Sequence, residues 1–418
     1  MTDEEISRLH HELVDRLKEA GAIRSPHVEA AFRAVPRHLF LPDIPIEKVY
    51  QDQAIVTKWD ERMPLSSSSQ PSLMAMMIEQ LDVQPGQRVL EIGTATGYNA
   101  ALLAHIVGDT GAVYTIDIDE DLVETARRHL ELAGVPGVHV ILGDGGFGYE
   151  EAAPYDRIIL TVGSWDIAPA WHRQLRQGGR LVLPLALAGT HQKSIAFELA
   201  GDHLESISHT SCGFIRLRGK FSEPEGGKTA IGPEPNVELH LPYGDDRAID
   251  ADAVYGMLAG PSKVYPTGVR ASERETHMRL LQRLWLHLRG IVVLVATETM
   301  ADKGVVPYLS GVSEKFCFST GLLADRGMAL IVRSPGSSLP AEQPDEGNTI
   351  DLFVRCYGTG EELADQLIRA IKEWDTSGRS AEDAGLRIRA YPMESPYLPS
   401  ADELVMEKEH VRLVLDWR

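Results

Sequence analysis

Between Glu91 and Asp144 the chain spaces acids and glycines as a nucleotide site requires. Val89-Leu90-Glu91-Ile92-Gly93-Thr94-Ala95-Thr96-Gly97-Tyr98-Asn99 reads as a buried strand, a glycine-bearing turn and a helix start. In a Rossmann-like sheet this turn admits a nucleotide, and glycines let the backbone approach it closely. Roughly 20 residues on, Ala112-Val113-Tyr114-Thr115-Ile116-Asp117 is a second strand ending in a carboxylate, where a ribose diol is held. His139-Val140-Ile141-Leu142-Gly143-Asp144-Gly145-Gly146 is a third, placing Asp144 at the same carboxyl edge. Either acid alone could be a turn residue that caps a helix. In ordered series they point to a cofactor-dependent enzyme.

The elements that must hold these residues are legible from periodicity. Tyr98 to Ala104 has the apolar spacing of a helix packed on a sheet. Ile6, Leu9, Leu13 and Leu17 form one helical stripe, and Ser25-Pro26 supplies an N-cap and a first-turn proline for another helix. Lys193 to Leu199 and Leu204 to Ser208 make an antiparallel pair around Gly201-Asp202, suited to the edge of the sheet. Beyond a Gly-, Pro- and Glu-rich stretch the pattern changes. Helical spacing appears at Met278 to Leu288 and at Leu363, Leu367, Ile371 and Trp374, while Ile350 to Cys356 and Val411 to Leu415 alternate as strands. Ser334 to Asn348, with three prolines, reads as a mobile loop. The expected class is α/β, with residues 1–60 as a helical arm and substrate-side loops, 61–219 as a Rossmann-like core, 220–236 as linker and 237–418 as an α+β domain.

Composition narrows the classes. At 418 residues and 43% hydrophobic content the chain can bury more than one core. It has no apolar run of membrane-spanning length, and its acidic N-terminus Met1-Thr2-Asp3-Glu4-Glu5 has no apolar region behind it, so a cytoplasmic enzyme without membrane partners is expected. Cys212, Cys317 and Cys356 lie far apart in no metal-ligand spacing and read as buried free thiols. A net charge of −20 repels a phosphate backbone, which sets nucleic acid aside as a partner. Oligomeric state is not encoded in these patterns.

The ordered motifs resemble those of S-adenosylmethionine-dependent methyltransferases, and of the protein-L-isoaspartate O-methyltransferase family in particular. The matching stretches are Val35-Pro36-Arg37-His38-Leu39-Phe40-Leu41-Pro42, Tyr50-Gln51-Asp52, Ser67-Ser68-Ser69-Gln70-Pro71-Ser72, the Val89 to Gly97 turn, Gly143-Asp144-Gly145, Ala153-Pro154-Tyr155-Asp156-Arg157-Ile158-Ile159, and Gly178 to Pro184. The resemblance implies S-adenosylmethionine as cofactor, with Glu91 and Gly93 at its methionine end, Asp117 at its ribose, Asp144 at its adenine edge, and Thr94, Ala95, Gly97 and Gly145 around it. It gives Ser69 the role of orienting a substrate carboxylate, helped by Ser67 and Ser68. Those serines precede Gln70-Pro71, where proline begins a helix whose free amides favour an anion. Two departures stand out: alanine occupies position 95 where the family carries glycine, and three serines replace a Thr-Ile-Ser triplet. A Cβ at 95 is tolerated if its φ is negative.

Three functions follow as expectations. The extended two-domain members of the family, associated with maturation of bacterial ribosomally synthesised peptides, suggest methylation of an aspartate or isoaspartate in a dedicated peptide, with the ester collapsing to a succinimide (aspartimide). The added domain favours this reading, because a domain of that size needs something to recognise. The alternatives are general repair of isoaspartate in damaged proteins and a non-catalytic cofactor-binding scaffold.

Overall fold

A computed structural model of the chain describes all residues except 61–62, 188–191, 225–226, 234–236, 243–244, 246, 298–308, 314–315, 335–348, 380–384, 401–402 and 418. The N-terminal arm forms α1 (Asp3–Glu19), opened by a capping box in which Thr2 and Glu5 satisfy each other's backbone amides, and α2 (Pro26–Ala34). Leu13, Val14 and Leu17 bury the stripe of α1. Ser25 flanks α2 as expected, yet its hydroxyl donates to Glu79 at 2.9 Å and does not cap its own helix. After α3 (Ile46–Val49) comes a hairpin of β1 (Ile55–Asp60) and β2 (Met63–Ser68), and then α4 (Pro71–Leu81) with proline in its first turn.

β3 (Arg88–Ile92), β4 (Ala112–Asp117), β5 (Val138–Leu142), β6 (Tyr155–Leu160) and β7 (Leu175–Ala186) pair in parallel in the order β5-β4-β3-β6-β7. Helices α5 (Tyr98–Val107), α6 (Glu120–Leu132) and α7 (Pro169–Gln174) make the crossovers. The strand order reverses at β3, so the carboxyl ends of β3, β4 and β6 face one crevice, where open α/β sheets bind ligands. Parallel strands covered on both faces read as continuous apolar runs, which is why Val89, Leu90 and Ile92 are all buried and why α5 buries Ala100 to Ala104.

β8 (Gln192–Ala200) and β9 (His203–Cys212) form the expected hairpin, with Leu199 opposite Leu204. They are not the edge of the sheet. Leu386–Pro392 pairs with β9, Val411–Trp417 pairs with Leu386–Pro392, and Leu404–Glu407 closes a ten-stranded sheet. One compact unit therefore comprises Met1–Leu187, Gln192–Glu223 and the chain from Leu386 onward; Pro224–Gly385 belongs to the second. This corrects the expected 237–418 domain: the strand at Val411 to Leu415 exists, but Leu413, Val414 and Leu415 are buried in the first unit's sheet. The linker is also shorter than 220–236, since Lys228–Ala230 is already a strand of the second unit.

The second unit is an antiparallel sheet in the order Lys228–Ala230, Val237–His240, Ile291–Thr297, Phe316–Ala324, Gly327–Arg333, Thr349–Gly358 and Ser262–Ser272, with Ser310–Ser313 beside Phe316–Ala324. Helix Glu361–Thr376 buries Ala364, Leu367, Ile371 and Trp374 in a core of its own, matching the spacing in the sequence. Of the proposed mobile loop, 335–348 lies outside the described residues. Cys317 and Cys356 are buried free thiols, and Cys212 is half-buried.

Candidate active site

The glycine turn is bent by residues that must leave the right-handed region. Gly93 has φ +101° and Gly97 φ +86°. A Cβ on Gly93 would lie 2.6 Å from the Thr161 hydroxyl, which donates to the Gly93 carbonyl at 2.6 Å. Only glycine fits there. Ala95 stands at φ +46°, so the expectation of a negative φ fails: the turn imposes a left-handed conformation on a residue carrying a Cβ.

A cavity of about 930 Å³, including its open mouth, lies over this turn. Gly93, Thr94, Ala95, Asp117 and Gly145 line it, together with Ser66, Ser67, Ser68 and Ser69. Asp117 accepts from the Ala95 amide at 3.0 Å and the Asp119 amide at 3.2 Å, and burial pushes its carboxyl above the usual range. It thus fixes the turn as well as facing the cavity.

Glu91, Gly97 and Asp144 do not line the cavity. Glu91 is wholly buried beneath the turn, accepting from Asn99 Nδ2 at 2.7 Å and from the Thr115 hydroxyl, which also bonds Thr94. Burial pushes its carboxyl up to about 7. Asp144 accepts from the Gly146 amide at 2.9 Å and the Lys220 amide at 2.7 Å, and so ties the turn after β5 to the segment at 219–221. Gly97 starts α5 close against Ala126. Glu91 is thus spent on Asn99 and Thr115 and Asp144 on backbone amides, while Gly97 lets α5 start close to Ala126.

Ser67 and Ser68 end β2, and Ser69 follows it in the link to α4. Ser66 and Ser68 are buried while Ser67 and Ser69 are half-buried. Behind them Arg37, fully buried, donates to the carbonyls of Val49 at 2.9 Å and Ser69 at 3.0 Å and to the Ser68 hydroxyl at 3.3 Å. Burial lowers its pKa from the usual arginine value. Asp52 takes the Ser72 amide at 2.8 Å and Gln70 Nε2 at 3.1 Å, so a carboxylate of the chain already occupies the start of α4. His38 Nδ1 meets the Tyr50 hydroxyl at 2.6 Å. The family motifs before residue 60 therefore build the support of the serine segment. Asp156 and Arg157 bond Arg88 and Leu81 at the opposite, amino end of the sheet.

Sequence reasoning missed the cavity wall from Phe214 to Arg218. Arg218 forks onto Asp119 at 3.0 and 2.7 Å, and Lys58 of β1 reaches the same carboxylate at 2.9 Å, holding Asp119 well below the ordinary carboxylate range. The alternation Ile215-Arg216-Leu217-Arg218 was the available signal.

A strand reversal at β3, a glycine turn and an acid ending β4 beside one cavity define a Rossmann-like, S-adenosylmethionine-dependent methyltransferase. The family model of protein-L-isoaspartate(D-aspartate) O-methyltransferase matches residues 7–222, and the chain belongs to that family. The protein-L-isoaspartate O-methyltransferase of Pyrococcus horikoshii is 43% identical over 224 residues, 53% of this chain and 97% of that protein. That of Hyperthermus butylicus is 39% identical over 217 residues, 50% of this chain and 88% of its own length. A solved protein-L-isoaspartate O-methyltransferase shares the fold with a TM-score of 0.50 at 23% identity, covering 91% of this chain and 96% of that one.

Proposed function

We propose that this methyltransferase esterifies the carboxylate of an aspartate or isoaspartate within a peptide, that the peptide is a dedicated ribosomally synthesised precursor, and that the ester then collapses to a succinimide. One observation carries the reading of the site: Ser67 and Ser69 line the same cavity as Asp117 and the glycine turn.

The residues present fit S-adenosylmethionine. Asp117 presents a carboxylate to the cavity at the end of β4, with Gly93, Thr94, Ala95 and Gly145 around it. The cofactor supplies, when bound, a methyl group made electrophilic by its sulfonium. Everything else is alignment. A carboxylate with a pKa of about 4 is already ionised at pH 7 and needs no general base. The hydroxyls of Ser67 and Ser69 hold and orient it, while Arg37 fixes the backbone that carries them. The surrounding apolar wall of Leu65, Ile92, Ile116 and Leu122 excludes water. Positioning of this kind accounts for roughly 7 to 11 kcal/mol of barrier lowering in the best cases.

The dedicated-peptide reading is supported by a second unit with its own core, a structure that generic chemistry on short segments does not require. Repair of isoaspartate is the competing reading. It is favoured by the solved relative whose fold aligns with 91% of this chain, which weakens the second unit as a mark of specialisation. Mass spectrometry with labelled cofactor separates the two: unrelated short isoaspartyl peptides should be poor substrates, and efficient turnover of them would establish repair.

Paired variants test the site. Asp117→Ala should weaken cofactor binding by calorimetry, since two charge-assisted bonds of roughly 1.5 to 3 kcal/mol each are lost. Ser69→Ala should lower kcat with cofactor affinity nearly intact. Unchanged turnover in Ser69→Ala would pass the orienting role to Ser67.

A further inference from the structure

The wall from Phe214 to Arg218 carries charge that methyl transfer to a carboxylate does not need. Arg218 is committed to Asp119 by two bonds. Arg216, two residues away on an extended segment, also lines the cavity, and its side chain is 57% exposed. The backbone on both sides of it is pinned: the Gly163 amide donates to the Ile215 carbonyl and the Leu217 amide to the Gly163 carbonyl, both at 2.8 Å. The position is thus fixed by the extension of β6 while the guanidinium reaches solvent. Its partner is Glu223 Oε2 at 2.9 Å.

The pair is only half covered, with the Arg216 side chain open to solvent and that of Glu223 20% exposed, so solvent screens it and leaves guanidinium donors open to a second carboxylate that competes with Glu223. A guanidinium binds a carboxylate bidentately, which makes it a selective reader of an acidic side chain. In a chain of net charge −20, an acidic peptide is otherwise repelled. We propose that Arg216 is a specificity-determining residue that binds a second carboxylate, on a residue flanking the methyl acceptor, with Glu223 standing in for it in the free protein. Successive residues of an extended peptide advance by roughly 3.3 Å, so an acceptor beside Ser67 and Ser69 places its neighbours along the same cavity. The inference rests on the peptide-carboxylate reading above.

The experiment uses the full chain and two peptides identical except for one residue beside the acceptor, glutamate in one and glutamine in the other. The readout is the ratio of their kcat/KM values. In Arg216→Gln the preference for the glutamate peptide should fall about tenfold, the scale of one charge-assisted contact. In Glu223→Gln it should rise, because the internal competitor is gone. Cofactor binding by each variant shows that the fold is intact. An unchanged ratio in Arg216→Gln, with both peptides methylated, overturns the inference and leaves the proposed function standing. If the unaltered chain methylates neither these nor any other aspartyl or isoaspartyl peptide, the function and the inference both fall.

Discussion

Ala95 is the residue at which local geometry and residue type disagree most. An L-residue in the left-handed region costs on the order of 1 kcal/mol, and here it is held there by the Asp117 carboxylate that receives its amide. Ala95→Gly removes the strain and gives back part of the gain through the greater freedom of glycine in the unfolded chain. The melting temperature should rise by about 1–3 °C, and a fall would show that the strain is relieved elsewhere. Glu91 makes a prediction of opposite character. Its folded pKa of about 7 lies above the ordinary 4.5, so between those values the folded protein binds more protons than the unfolded chain. Stability must therefore fall as pH rises through that window, by about 3 kcal/mol for a fully buried group. Glu91→Gln removes the charge, keeps an acceptor for Asn99 and reverses the bond to Thr115, whose hydroxyl then accepts from the amide and donates to Thr94. Denaturant titrations should find it close to the unaltered protein below pH 5 and more stable above pH 7; parallel curves would mean that Glu91 is not protonated by burial.

At the scale of elements, one guanidinium ties the serine segment to the chain around Val49. Arg37 bridges the chain around Val49, the end of β2 and Ser69, and these contacts are bonds to neutral oxygens that lysine cannot reproduce with one compact ammonium. Arg37→Lys should cost roughly 1 to 3 kcal/mol of stability and lower kcat more than it weakens cofactor binding. Equal losses in both would place the effect in the whole fold rather than in the serine segment. The clasp of Lys58 and Arg218 on Asp119 works on the same scale, joining the β1 hairpin, the turn before α6 and the segment at 214–218 on one side of the cavity.

For the whole molecule, the return of the chain into its first sheet decides how the second unit can be studied. A truncation at residue 236 removes Leu386–Pro392 and Val411–Trp417 along with the second unit, stripping β9 of its neighbour. Ile388, Leu413 and Leu415 are fully buried, and each lost side chain forfeits roughly 1.5 to 3 kcal/mol. His410 also leaves its bond to the buried Asp166. The truncated chain should lose cooperative unfolding and aggregate through the bared strand. Replacing 224–385 with a flexible Gly/Ser linker should instead leave a first unit that melts cooperatively and binds cofactor. If dedicated recognition lies in the second unit, that protein methylates the precursor peptide poorly; retained turnover would assign recognition to the first unit. Cooperative melting of the 236 truncation would show that the returning strands are dispensable.

The sequence by itself determined what depends on neighbours along the chain. Apolar runs marked β3 and β4, helical spacing marked α5 and the helix at Glu361–Thr376, and glycines marked the turn at 93–97, because strand and helix periods and left-handed φ are written in a few consecutive residues. The order of Glu91, Asp117 and Asp144 was equally local, and it carried the fold. Which way each acid faces was not. Only the tertiary structure turned Glu91 under the turn toward Asn99 and Thr115, spent Asp144 on backbone amides, and left Asp117 on the cavity. It also brought Arg216 to the cavity wall and paired the strand Leu386–Pro392 with β9. Side-chain direction at a crevice and pairing between strands some 180 residues apart depend on contacts that form only when the sheet is assembled, and no period along the chain records them.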